Sequence, residues 1–153
     1  MNKSSNTQPW SPKAIPPRAS GEMAVKQLMQ RFELAFTQRD VGGVMDCLGP
    51  GFEWRLPDGQ HVRGRRCVRQ TLTERFARRD GPRFSKSRFK YHGQTVIQTY
   101  EVALPDGQGG WHRRRGCDVY KVRGGLLVRK DAYWKSGTQS SPLAMTLHER
   151  GTQ

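Results

Sequence analysis

Two long β-prone runs joined by a glycine pair set the strongest limit on how this chain can fold. The first run is Gly116-Cys117-Asp118-Val119-Tyr120-Lys121-Val122. The second is Leu126-Leu127-Val128-Arg129-Lys130-Asp131-Ala132-Tyr133-Trp134, with Arg123-Gly124-Gly125 between them. Apolar and aromatic strand formers on both sides of a Gly-Gly step read as a β-hairpin, because such a turn needs a positive φ that glycine adopts without a Cβ clash. Asp118 stands inside the first run. A carboxylate among apolar strand neighbours must be satisfied by donors or held protonated, so Asp118 is the first candidate for chemistry.

The hairpin ends a longer β-rich half. Strands are expected over Phe84–Tyr91, Thr95–Leu104, Trp111–Val122 and Leu126–Trp134, with turns at His92-Gly93 and from Pro105-Asp106-Gly107 to Gly110. Consecutive strands with short turns make an antiparallel meander. The first half reads differently. Val25, Leu28, Met29, Phe32, Ala35 and Phe36 recur at spacings of three and four, the stripe of an amphipathic helix that starts at Gly21 or Glu22 with Ser20 as its cap. Asp40 caps a short second helix carrying Val41, Val44, Met45 and Leu48, weakened by Gly42 and Gly43 and ended by Gly49-Pro50-Gly51. Phe52 to Leu56 alternates as a strand, Pro57-Asp58-Gly59 turns, and His61 to Arg63 returns. A third helix runs from Arg65 to about Arg79 on Val68, Leu72 and Phe76, and Asp80-Gly81-Pro82 stops it. Helices first and strands later define an α+β domain over residues 21–136. Residues 1–20, with four prolines and Trp10, read as an N-terminal arm. Residues 137–153 read as a C-terminal tail in which Leu143 to His148 could add a helical turn.

Length and composition bound the rest. A chain of 153 residues is one domain, long enough to bury roughly 68–70% of its unfolded surface. It holds no apolar run of membrane-spanning length and its first residues lack the apolar centre of a secretory signal, so a cytoplasmic protein that does not enter membranes is expected. Cys47, Cys67 and Cys117 are odd in number and not at metal spacing. They read as reduced thiols, two or three of them in the core, and neither a metal nor another cofactor is expected. The net charge of +14 admits an anionic partner such as nucleic acid. No nucleic-acid motif accompanies the arginines of residues 65–79 or Arg113-Arg114-Arg115.

The order of elements resembles the NTF2-like superfamily, the cone-shaped α+β barrel shared by nuclear transport factor 2, ketosteroid isomerase, scytalone dehydratase and SnoaL-like polyketide cyclases. The resemblance covers Met23 to Lys135. It is carried by Leu28-Met29-Gln30-Arg31-Phe32, Arg39-Asp40-Val41, Pro57-Asp58-Gly59 with Gly64-Arg65, Cys117-Asp118-Val119-Tyr120 and Asp131-Ala132-Tyr133-Trp134. It implies a curved antiparallel sheet packed on three N-terminal helices. Compared with ketosteroid isomerase, Asp118 falls on the oxyanion-hole Asp, but Phe32 stands in place of the Tyr and Leu56 in place of the general base. A leucine abstracts no proton, so ordinary ketosteroid isomerase activity is not expected.

Period-two alternation puts Asp118, Tyr120 and Val122 on one strand face, and Lys130, Ala132 and Trp134 on one face of the next. The resemblance implies that these faces line the barrel, together with Phe32, Trp54, Leu56, Gln98 and Tyr100. The expected pocket is apolar with few polar groups, the usual form of a small-molecule site. Asp118 has two states open to it. It can pair with Lys130, or it can lie alone and protonated as an acid or hydrogen-bond donor to a ligand carbonyl. His61 is a weaker acid–base candidate, and His92 and His112 weaker still. Asp131 and Tyr133 should face outward, joined by Trp111 and Phe89, on a face where the resemblance implies a homodimer. Three functions stay open: cofactor-free isomerase, cyclase, dehydratase or hydrolase chemistry on a small hydrophobic molecule, ligand binding without turnover, and nucleic-acid binding.

Overall fold

A computed structural model describes residues 17–135, with side chains from residue 21 onward. The N-terminal arm before residue 17 and the tail after residue 135 lie outside the described residues, and with them Trp10 and the Leu143–His148 turn. Three helices, α1 (Pro17–Thr37), α2 (Val41–Asp46) and α3 (Arg65–Ala77), accompany six strands. The strands are β1 (Leu48–Arg55), β2 (His61–Arg63), β3 (Arg83–His92), β4 (Thr95–Pro105), β5 (Trp111–Arg123) and β6 (Leu126–Trp134). They form one curved sheet in the order β2-β1-β6-β5-β4-β3. One face carries the helices, and the core joins Val25, Leu28, Met29 and Phe32 of α1, Val68 and Leu72 of α3, and Val96, Tyr120 and Leu127 of the sheet.

The structure differs from the sequence reading at four points. Helix α1 starts at Pro17 rather than at Gly21, so Ser20 lies within the helix and not at its N-cap position. Proline suits a first helical position, where its missing N–H has no intrahelical partner to lose. The Gly49-Pro50-Gly51 segment lies inside β1, across the register shift between Leu48 and Glu53. The sheet is also mixed rather than wholly antiparallel, because β1 pairs in parallel with β6, Trp54 beside Lys130 and Arg55 beside Asp131. A pairing between segments so far apart in sequence leaves no local turn signal. Of the cysteines only Cys47 is buried, while Cys117 is half-buried and Cys67 exposed.

Bulges decide which side chains face the helices. In β3, Ser85 pairs with Glu101 and Arg88 with Thr99, so one extra residue sits on β3. Lys86, at φ 56°, takes up the turn there. The extra residue reverses the alternation, and Phe84 and Phe89 both point inward although their numbers differ in parity. Phe89 therefore packs against the core beside Tyr91, not on the outer face. A second bulge between β5 and β6 sets Val122 opposite Leu127 and Lys121 opposite Arg129, so Leu127 and Lys130 both turn inward.

Candidate functional site

The curved sheet and the helices enclose a cavity of about 300 Å³. Its walls are aromatic: Phe32 and Phe36 from α1, Trp54 from β1, Phe76 from α3, Phe84 from β3 and Trp134 from β6. At its inner end the strands present polar groups. Asp118, opposite Gln98 on β4 and Ala132 on β6, is 2% exposed.

Asp118 is an acceptor at every contact. Tyr100 donates its hydroxyl to Oδ1 at 2.7 Å, and Lys130 Nζ lies 2.9 Å from Oδ2. The Tyr120 hydroxyl reaches Gln98 Oε1 at 2.6 Å and Asp118 Oδ2 at 3.3 Å. It holds a single proton, so the shorter bond to Gln98 takes it. The network continues outward: Trp134 Nε1 donates to the Tyr100 oxygen at 2.9 Å, and Gln98 Nε2 donates to Ser87 Oγ at 3.0 Å. Of the two states open to Asp118, the structure adopts the pair with Lys130. That ammonium also sits against aromatic faces, 4.9 Å from the Phe36 ring centre and 5.3 Å from that of Tyr120. Cation–π attraction there adds to the ion pair.

The electrostatics follow from burial. Desolvation pushes the Tyr100 and Tyr120 hydroxyls well above the usual phenol range, and the negative Asp118 beside them pushes the same way. Both phenols therefore stay protonated as donors. Arg75, half-buried at the mouth, is lowered by burial and held up in part by Asp58.

Gly116 opens the space for this network. A Cβ at that position would run into the Tyr100 ring. The tyrosine crosses directly over the glycine backbone and so brings its hydroxyl onto Asp118 two residues along. The signal for this was in the sequence, since a glycine inside a strand marks a close approach.

All the sequence-predicted pocket residues, Phe32, Trp54, Leu56, Gln98, Tyr100, Asp118, Tyr120, Lys130 and Trp134, line this one cavity. His61 is absent from it. That imidazole is on the edge strand β2, exposed, where its Nε2 accepts from Arg63 Nε at 3.0 Å. Asp131 does turn to the outer face but is only 8% exposed, covered by Arg129, which donates from Nε to Oδ2 at 2.8 Å. Tyr133 is open at 57% exposure. Sequence reasoning missed the mouth: Glu33, Arg39, Arg75 and Arg83 all border the cavity. Their charge made them look like solvated surface. No group of three or more His, Cys, Asp or Glu placed to hold a metal occurs among the described residues. No helix there is long and apolar enough to cross a membrane.

The comparison with curated proteins gave no match. Solved structures do share the fold. A candidate polyketide cyclase from Xanthomonas campestris pv. campestris superposes with a TM-score of 0.64 at 19% identity, over 75% of this chain and 93% of its own. A candidate ketosteroid isomerase from Kribbella flavida gives 0.64 at 16% identity, over 86% of this chain and 93% of its own. TerC, crystallised with polyporic acid, gives 0.63 at 16% identity, over 73% of this chain and 92% of its own. At such identities the likeness is one of fold. The sequence itself matches the model of the SnoaL-like domain over residues 29–130, and the chain belongs to that family.

Proposed function

We propose that this SnoaL-like protein binds a small, hydrophobic, carbonyl-bearing molecule inside the cone. The observation that carries the reading is an aromatic cavity of about 300 Å³ with a buried carboxylate and two protonated phenols at one end. Apolar walls supply affinity, and a few convergent polar groups fix orientation. Tyr100 and Tyr120 give their single protons to Asp118 and Gln98, so the donor with protons to spare for a ligand oxygen is the Lys130 ammonium, held by its pair with Asp118. Thermal-shift screening with apolar carbonyl compounds tests this. A ligand at about 100 times its Kd stabilises the folded state by about 2.7 kcal/mol. Ala132→Phe, which fills the cavity beside Asp118, should abolish the shift. A panel that never shifts the wild-type melting temperature removes the reading.

One observation favours turnover as well as binding. Asp118 borders the cavity itself. A carboxylate there can take a proton from an activated C–H of the ligand and either return it to another carbon of the same molecule, the isomerase step, or give it to the carbonyl oxygen that the carbanion attacks as a ring closes, the cyclase step, acting as base first and acid second. In this reading a folded Asp118→Asn variant keeps ligand binding and loses turnover. Retained turnover removes Asp118 from the chemistry.

A further inference from the structure

We infer that the mouth of the cavity is an anion subsite, with Arg75 as its anchor, so that the ligand is an aromatic or polycyclic molecule carrying a carboxylate. The inference rests on the binding reading above and adds the charge of the ligand to it. Three guanidiniums, Arg39, Arg75 and Arg83, border the cavity against one carboxylate at the mouth, Glu33. The Asp118–Lys130 pair inside cancels itself, so the opening carries a positive excess. Low-dielectric walls focus such a field on whatever enters.

Of the three guanidiniums, one is hydrogen-bonded and one is stacked on a ring that is not among the cavity walls. Arg39 donates from one Nη to the carbonyls of Phe76 and Arg78, at 3.1 and 3.2 Å, and ties the end of α1 to the end of α3. Arg83 lies over the Trp111 ring at 4.1 Å. Arg75 is different. Its one carboxylate partner among the described residues, Asp58, stands at 4.0 Å, and no hydrogen bond fills its donors there. Its guanidinium instead lies 5.6 Å from the centre of the Trp54 ring, a wall of the cavity. A half-buried guanidinium with open donors beside an apolar wall suits a planar carboxylate, which it binds through two parallel bonds while the wall takes the rings. Asp58 is a weak, exposed competitor that an incoming carboxylate displaces.

Calorimetric titration of the full chain with benzoate, naphthoate and anthracenecarboxylate, each beside its methyl ester, tests the subsite. The acid that fits best should bind on the order of 10-fold tighter than its ester, a difference of about 1.4 kcal/mol. Its affinity should fall with added salt while that of the ester stays flat. Arg75→Gln should erase the preference and leave the ester unchanged, so ester binding also reports that the variant folds. Asp58→Asn, at an exposed position outside the cavity, should strengthen acid binding. Equal affinity of acid and ester in the wild type overturns the anion subsite and leaves the binding reading intact, as does an Arg75→Gln variant that keeps the preference. Absence of binding by both series overturns both.

Discussion

Gly116 and Tyr100 form a pair at the scale of single residues. The ring occupies the space a Cβ would need, so Gly116→Ala forces one of them to move. Overpacking of this kind costs about 1–3 kcal/mol. The expected result is a lower melting temperature together with loss of the Tyr100 contact to Asp118, read by denaturant unfolding and by the Asp118 carboxyl resonance. The Asp118–Lys130 pair makes a sharper test. Both partners are buried, at 2% and 8% exposure. Asp118→Asn leaves a buried ammonium with no counter-charge, and breaking such a pair costs about 3–5 kcal/mol. Replacing both partners, Asp118→Leu with Lys130→Met, should recover most of that loss in the same measurement. A double variant as unstable as the single one would mean that the carboxylate matters through Tyr100 and not through Lys130.

At the scale of elements, the short helix α2 shows tertiary packing overruling propensity. Gly42 and Gly43 look like weak points in a helix of six residues. The Asp40 cap explains one of them, because its Oδ1 accepts from the Gly43 N–H at 3.0 Å. A Cβ on Gly43 would come within 2.6 Å of the other Asp40 oxygen and 2.9 Å of Ala35 Cβ on α1. Glycine there lets α2 lie against α1 and keeps the cap closed. Gly43→Ala should therefore destabilise the protein, by about the 1 kcal/mol a cap contributes or more, although alanine is the better helix former. Chemical denaturation would show it. A stabilised variant would mean that α2 has room to shift. The bulge in β3 belongs to this scale too. By reversing the alternation after Lys86 it turns Phe84, Ser87 and Phe89 inward, and the first two of these line the cavity.

The whole molecule answers to pH through its buried phenols. Burial and the nearby Asp118 raise Tyr100 and Tyr120 above the ordinary phenol value of 10.0, so the folded state holds their protons where the unfolded state has lost them. The stability this represents is complete below pH 10 and falls as pH rises beyond it, by up to about 1.4 kcal/mol per pH unit for each group. In tyrosinate absorbance, Tyr100 and Tyr120 should thus ionise only as the fold is lost. A homodimer through the outer sheet face would answer to salt. The outer sheet face places Val119 and Tyr133 among Arg113, Arg115 and Lys121. Two copies meeting through this face bring like charges together, so a homodimer formed there should strengthen as salt rises. Sedimentation at low and high salt checks it, and a monomer at both removes this face as a dimer interface.

The chain's own pattern determined the elements and most of the cavity wall. Period-two alternation in β5 and β6 put Asp118, Tyr120, Lys130, Ala132 and Trp134 on one face, and helical spacing aimed Phe32 at it, because these are local rules of backbone geometry. Tertiary structure decided the rest. The parallel seam between β1 and β6 joins segments with no turn between them, and the bulges shift the register by one residue without a distinctive local sequence. The charged mouth was hidden for a related reason. Arg75 looks like any surface arginine until α3 is laid beside Trp54, since the field at an opening depends on which distant segments share it.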